Sequence, residues 1–300
     1  MSGLYPGAVD LNEGTLSVDA ALSNPTVIEE RVADLISGNV LVDTLFAPGG
    51  PTVQGGAVIY SKITSKYLFP DVDVADRAPG DEYAQVWSTP PELELAKVQD
   101  FGGKVSITEE ARRRNSAVVF DNEITTLSNA ITRRLNKRAM ETIEAAVSES
   151  DEVMELQAAA AWNTTLAVGP EASQTNPRQL PGGDFGTAIA HAQRQDLGVE
   201  YSKLIVSPEN AANLRNTYGA TLGTLLSDYG LEMLVSNYVA ASDAYLVDPK
   251  KMGFVSYEEP LTVRTWDDPE HRLHWVQAYA MPVMGVTLPS AVAVIRGTNS

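Results

Sequence analysis

The chain has no cysteine and only three histidines in 300 residues. The first absence excludes disulfides, thiolate catalysis and Cys-based zinc sites together, and it suits a reducing cytoplasm. The histidines are scattered. His191 stands alone in a helical pattern, and His271 and His274 are three apart in an expected strand, where they would face opposite sides and could not share a metal. No G-x-S-x-G elbow, P-loop or H-E-x-x-H is present. Gly182-Gly183-x-x-Gly186 lacks the preceding strand, the G-x-G spacing and the lysine of a phosphate cradle, so it reads as a loop or helix-start glycine cluster. The acid pairs Asp267-Asp268 and Glu258-Glu259 read as solvated turn formers, without a partner histidine, arginine cluster or metal set near them in sequence. The expectation is therefore no catalytic residue, no metal, no cofactor and no enzyme.

Long apolar runs are also missing. No stretch of eighteen apolar residues occurs, which argues against a membrane helix. The opening MSGLYPGAVDLNEG has neither a basic nor an apolar region, so no secretory signal is expected there. Positive charge is scarce: 22 basic against 39 acidic side chains give a net charge of −17, which disfavours tight nucleic-acid binding through the general surface. The exception is residues 101–150, with 8 basic and 7 acidic side chains, against 5 and 15 in residues 1–100 and 9 and 17 in residues 151–300.

What the chain does have is a long helical pattern. Between Asn122 and Val147, apolar residues recur at Ile124, Leu127, Ile131, Leu135, Ala139, Ile143 and Val147, in steps of three or four. Counted from Val119 to Val147, such a helix runs about 43 Å, more than twice the usual globular length, and reads as a structural beam. Its polar face carries Arg133, Arg134, Lys137 and Arg138, which with Arg112, Arg113 and Arg114 form the concentrated positive charge of the chain. Two readings stand for that stripe: a solvated face pairing with Glu141 and Glu144 at helical spacing, or a docking stripe for an acidic partner.

Upstream, residues 1–24 read as an extended arm, and Asn24-Pro25 opens a short helix ended by Gly38. An apolar run from Val40 to Phe46 stops at Pro48-Gly49-Gly50-Pro51. Ala57–Thr64 and Glu92–Val98 read as two long strands. They are joined by an acidic turn region, Pro70–Tyr83, with Pro79-Gly80-Asp81 at its tip. A hairpin of about fifty residues is not stable alone, so it is expected to lie on a neighbouring subunit. Thr108-Glu109-Glu110 starts a helix with Thr108 as its cap. Downstream, Pro177–Gly183 is expected as a loop, Asp184–Leu197 as a helix, Lys203–Val206 as a strand and Pro208–Tyr218 as a helix. Leu261–Trp266 and Arg272–Ala280 form a hairpin around Asp267–Glu270, and Ala291–Ile295 is a last strand.

This order of parts resembles the major capsid proteins of tailed bacteriophages, the Hong Kong 97 fold. The residues that carry the resemblance are AKVQDFGGKVSITEEARRR, leading from hairpin to helix, the segment KLIVSPENAANLRN, and the ending LPSAVAVIRG, similar to the last strand of that family's peripheral sheet. The resemblance implies an α+β chain divided into an N-terminal arm (1–48), an E-loop hairpin (49–100), a peripheral domain with the spine helix (101–157), an axial domain (158–258) and return strands of the peripheral domain (259–300). It implies self-assembly into hexamers and pentamers of an icosahedral head that encloses double-stranded DNA, in a virion made in the bacterial cytoplasm. The implied partners are other copies of the chain, a separate scaffolding protein (because only some fifty residues precede the hairpin), a portal and a decoration protein, with no membrane. Contact candidates are Lys62, Lys66, Arg77, Asp81, Arg133, Arg134, Lys137 and Arg138. A Lys–Asn crosslink between subunits is not expected, because no asparagine lies between Glu259 and Gly297. The alternatives are an encapsulin-type compartment shell and, from another class, an oligomeric α/β hydrolase working through a residue such as His191 or Asp228.

Overall fold

The structure, a computed structural model, describes residues 18–22, 25–37, 41–51, 53, 55–69, 74, 76–80, 82–83, 85–87 and 90–299. In chain order, three helices come first: α1 (Val18–Leu22), α2 (Pro25–Ser37) and α3 (Val42–Leu45). The short β1 (Ala47–Pro48) precedes β2 (Ala57–Lys62), α4 (Ser65–Leu68), β3 (Glu92–Lys97) and β4 (Phe101–Thr108). Helix α5 (Glu109–Arg113) leads into α6 (Ala117–Glu149) and then β5 (Met154–Gln157). The next elements are α7 (Pro181–Arg194), β6 (Lys203–Val206), α8 (Pro208–Tyr218), α9 (Leu222–Asp228), β7 (Glu232–Val235) and β8 (Asp243–Val247). Two long strands, β9 (Gly253–Asp268) and β10 (Leu273–Val286), and the final β11 (Val292–Arg296) close the chain.

Helix α6 is the beam expected from its periodicity. Its 33 residues span about 50 Å. Every apolar position read from the sequence is buried, joined by Phe120, Met140 and Ala146. The helix starts after a break that a single residue makes. Asn115 adopts φ 50°, closing α5 in the left-handed region that asparagine tolerates. Its side-chain oxygen accepts the Val18 backbone N–H at 2.8 Å, fastening the chain at α1 to the start of the beam. Thr108 caps α5 as the sequence indicates, accepting from the Ala111 backbone N–H at 3.2 Å.

The beam lies against a four-stranded sheet ordered β1-β9-β10-β4. Strand β10 pairs antiparallel with β9 on one side and with the whole of β4 on the other. The second sheet is ordered β5-β11-β8-β6-β7, with β5–β11 and β6–β7 parallel and the two central pairings antiparallel. Its β8 is buried at all five positions, and β11 at four of five. One continuous apolar core joins α1–α3, the beam and both sheets.

Several expectations are corrected here. Within residues 1–24, read as an extended arm, Val18–Leu22 form helix α1, and Val18, Ala21 and Leu22 are buried in the core, because they complete the apolar cover of α2 and the beam. Residues 1–17, Asn24 and Gly38 lie outside the described residues. The last strand, β11, belongs not to the sheet beside the beam but to the second sheet, between β5 and β8. Likewise β5 leaves the beam's segment for that sheet, and β9 begins at Gly253, ahead of the expected boundary at 258. The expected loop Pro177–Gly183 is a 3-10 turn followed by α7, which starts at Pro181 with proline in the first turn. Its glycines are packing residues: Gly182 donates its N–H to the Tyr218 hydroxyl at 2.8 Å, and a Cβ on Gly186 would meet the Tyr229 hydroxyl at 3.4 Å. In the same region Asp184, buried, accepts from the Trp162 indole N–H at 3.0 Å and the Ala159 backbone N–H at 3.1 Å, and burial raises its pKa.

Candidate intersubunit surfaces

Strands β2 and β3 form an antiparallel ribbon of six residue pairs, shorter than the two long strands read from the sequence. Period-two alternation gives the ribbon two faces. The inner face places Val58 against Phe254 and Val283, with Tyr60 edge-on to Phe254 at 5.4 Å. On the outer face Ile59 stands directly opposite Leu95, with Leu93 two pairs along, opposite Ser61; Ile59, Leu95 and Leu93 are 64%, 56% and 70% exposed. The connection beyond adds Tyr83, Val86 and Trp87, the last 63% exposed. A ribbon apolar on both faces, with one face in water, marks an interaction surface.

A polar lock ties the two strands of the ribbon together. Glu94 points inward and accepts from the Lys62 ammonium at 2.9 Å and from the Tyr60 hydroxyl at 2.7 Å. Burial pushes the Glu94 carboxyl up, but these two bonds outweigh it and hold the pKa below the usual carboxylate value. The Tyr60 hydroxyl is pushed up, first by burial and then by Glu94. At the root of the hairpin, Glu152, just past the end of the beam, accepts the Ser65 backbone N–H at 3.0 Å and its hydroxyl at 2.8 Å.

The lock revises the expectations for this segment. Lys62 is 6% exposed and paired within its own chain, so it braces the hairpin instead of reaching outward. Arg77 is exposed and sits 4.5 Å from the centre of the Tyr83 ring. The side chain of Lys66 and all of Asp81 lie outside the described residues. The alternation Glu92-Leu93-Glu94-Leu95 signalled a strand without saying which set faces inward. Lys62, on the paired strand and diagonal to Glu94 in register, holds Glu94 on the inner face and leaves the leucines outward.

A second surface is the tip of the β9–β10 hairpin, and here the sequence reading is overturned. Asp267 and Asp268 do have partners: the Nδ1 of His274 bonds Asp267, and the Nδ1 of His271 lies 2.9 Å from Asp268. Arg112 of α5 reaches Asp267 at 3.4 Å, and Arg272 reaches Glu109 at 2.8 Å and Glu110 at 3.3 Å. The tight turn brings the histidines back to the two acids, with Arg272 at φ 55°. The histidines serve separate aspartates, and among the described residues no group of three metal-ligating side chains forms.

This tip has a defined pH response. The His274 bond holds Asp267 below the usual carboxylate value, the Arg272 bond does the same for Glu109, and at Asp268 the His271 bond outweighs desolvation. A carboxylate whose folded pKa is depressed contributes order above its unfolded pKa, near about 4, and loses it as pH falls through the folded value. The protection of the amides at residues 267–274, that is, their exchange relative to the unstructured-chain rate at the same pH, is therefore expected to stay constant from neutrality down to about pH 5 and to fall below about pH 4. Loss of protection already at pH 6 would contradict this assignment.

The third surface is the stripe on α6. Arg133 and Arg134 are exposed, and among the described residues neither forms an ion pair. Lys137 approaches Glu141 at only 3.7 Å. Arg138 is half-buried, its guanidinium pushed down by burial. The spacing argument for solvated pairing therefore holds for one of the four cations.

A family model described as phage capsid protein matches residues 91–295. No curated protein matches the sequence. Among solved structures, a phage-related protein from Bordetella bronchiseptica is similar at 11% identity, over 91% of this chain and 97% of that one, with a TM-score of 0.61. A virus-like particle from Pyrococcus furiosus is similar at 11% identity, over 90% and 98%, with a TM-score of 0.58. A structure from Mycobacterium phage Bobi is similar at 12% identity, over 87% and 91%, with a TM-score of 0.58. At such identities the likeness to these structures is one of fold.

Proposed function

The chain belongs to the phage capsid protein family and is a structural protein of the virion shell, and from that premise we propose that its copies associate into hexamers and pentamers of an icosahedral head enclosing double-stranded DNA. Its fold is of the Hong Kong 97 type. The observation that carries the reading is the outer face of the β2–β3 ribbon, where Ile59, Leu93 and Leu95 stand in water while Val58 on the inner face packs against Phe254 and Val283. Such a face is stable in an assembly that covers it, and a second copy of the chain is the partner always at hand. In this scheme the segment 49–100 overlaps a neighbour, the beam and the four-stranded sheet form the wall, and the second sheet with α7–α9 fills the centre of each capsomer.

The acidic surface fits enclosure of DNA without tight binding, since a chain of net charge −17 repels phosphate over most of its area. Scaffolding, portal and decoration proteins enter the same scheme as partners of the assembled head. The encapsulin-type shell shares the fold, and the family match favours the phage head over it.

Native mass spectrometry of the purified protein tests the oligomeric state. Species at five and six times the 32.2 kDa chain mass are expected. A distribution confined to monomer and dimer at every concentration would overturn the proposal.

A further inference from the structure

The stretch between the beam and the second sheet is four residues long, Ser150 to Val153, and one side chain in it reaches two other parts of the chain. Glu152 is itself held in place. Its backbone N–H donates to the Ser150 hydroxyl at 3.3 Å, and the Val153 N–H donates to the Ser150 carbonyl at 3.4 Å, in the turn out of α6. The Glu152 carboxylate accepts the Ser65 backbone N–H with both oxygens, at 3.0 and 3.1 Å, and the Ser65 hydroxyl at 2.8 Å. One of those oxygens also lies 3.5 Å from the hydroxyl of Ser290, a buried residue in the turn before β11. An ionised carboxylate suits the place, because it is acceptor-only and meets one N–H and two hydroxyls. Its partners are 87 and 138 positions away in sequence.

The other contacts at this root leave a freedom that Glu152 removes. The apolar cluster under the ribbon holds three buried residues, Val58, Phe254 and Val283, and is separate from the main core. The Ile63 N–H donates to the Thr287 carbonyl at 2.7 Å and pins the end of β2 beside the end of β10. From Thr64 to Phe69, Glu152 is the hydrogen-bonding partner outside the segment among the described residues. A pin and a small cluster make a pivot. Charge-assisted bonds placed beyond the pivot oppose turning about it. We propose that Glu152 is a positioning residue, which sets the angle of the hairpin root against the beam and the second sheet. The inference rests on the shell reading above. A closed lattice repeats one contact from copy to copy, so scatter in this angle becomes scatter in curvature.

Hydrogen exchange and electron microscopy of the variants Glu152→Ala, Glu152→Gln and Ser65→Ala test it. In Glu152→Ala the amides of Ser65, Leu68 and Phe69 are expected to lose protection by roughly tenfold or more, while those of α6 and β8 keep theirs. Its particles are expected to spread over several diameters or to stay open, with the subunit still folded. Ser65→Ala keeps the backbone bond and loses the hydroxyl, and is expected to fall between this variant and the parent. Glu152→Gln keeps an acceptor for the Ser65 N–H, and its amide donates to a serine hydroxyl, so it is expected to restore most of the protection and a single diameter. Particles of the parent's single diameter from Glu152→Ala overturn the inference. So does loss of protection throughout α6 and β8, which would make Glu152 a residue of the whole fold. Where Glu152→Ala does not fold, Ser65→Ala decides, and parent-like protection with parent-like particles overturns the inference. A parent that forms no particles overturns the shell reading; a parent that does, beside a Glu152→Ala variant that matches it, overturns this inference alone.

Discussion

Removal of Lys66 to Glu82 is expected to leave a soluble, folded subunit that no longer forms shells. The excised residues lie beyond the polar lock, so Val58, Phe254 and Val283 keep their contacts, as do Lys62 and Glu94. None of the described residues in the excised stretch belongs to the buried core. The stability change is expected to stay within about 1 kcal/mol, the usual scale for surface changes. The effect on assembly is all-or-none, since every copy in a closed lattice loses the same contact and the losses multiply around each ring. Sedimentation and electron microscopy distinguish the outcomes: folded small species support the clamp, and normal particles refute it.

The second large effect is at the beam. Ala130 is exposed at the middle of α6, so substitution there changes the backbone without emptying the core. Ala130→Pro removes a main-chain hydrogen bond and forces the ring against the preceding turn, at a cost of about 3 kcal/mol or more. The expected fall in Tm is roughly 5–10 °C, with loss of particles even where the subunit still folds, because a kinked beam shifts the two sheets that it joins. Ala130→Gln, which keeps the helix, is expected to fall within about 0.5 kcal/mol of the parent and to assemble normally. Equal behaviour of the two variants would mean that the straightness of α6 does not matter for the shell.

The beam was legible because seven apolar residues repeat at helical steps over a length that local chemistry alone decides, and all seven are buried. Thr108 as cap and Pro208–Tyr218 as helix were legible for the same reason: each depends on residues within one turn. The association of strands into sheets was not. β11 enters the second sheet because β5 and β8 flank it there, a pairing between residues nearly 140 positions apart in one case, and nothing in AVAVIRG favours one sheet over the other. The polarity of the ribbon was hidden in the same way. Leu93 and Leu95 look like core residues until the buried Lys62 is known to claim Glu94. The charged tip was missed because the two aspartates and two histidines are read one by one along the chain, whereas a left-handed residue at Arg272 folds them onto each other. The basic stripe was visible as composition, and its lack of compensation became visible only when the helix face was resolved.

The most direct test of the account is electron microscopy of the purified protein, with sedimentation of the same sample across salt and pH. Closed shells, tubes or ring-shaped capsomers are the result this account predicts. A well-behaved 32.2 kDa monomer under every condition would contradict it.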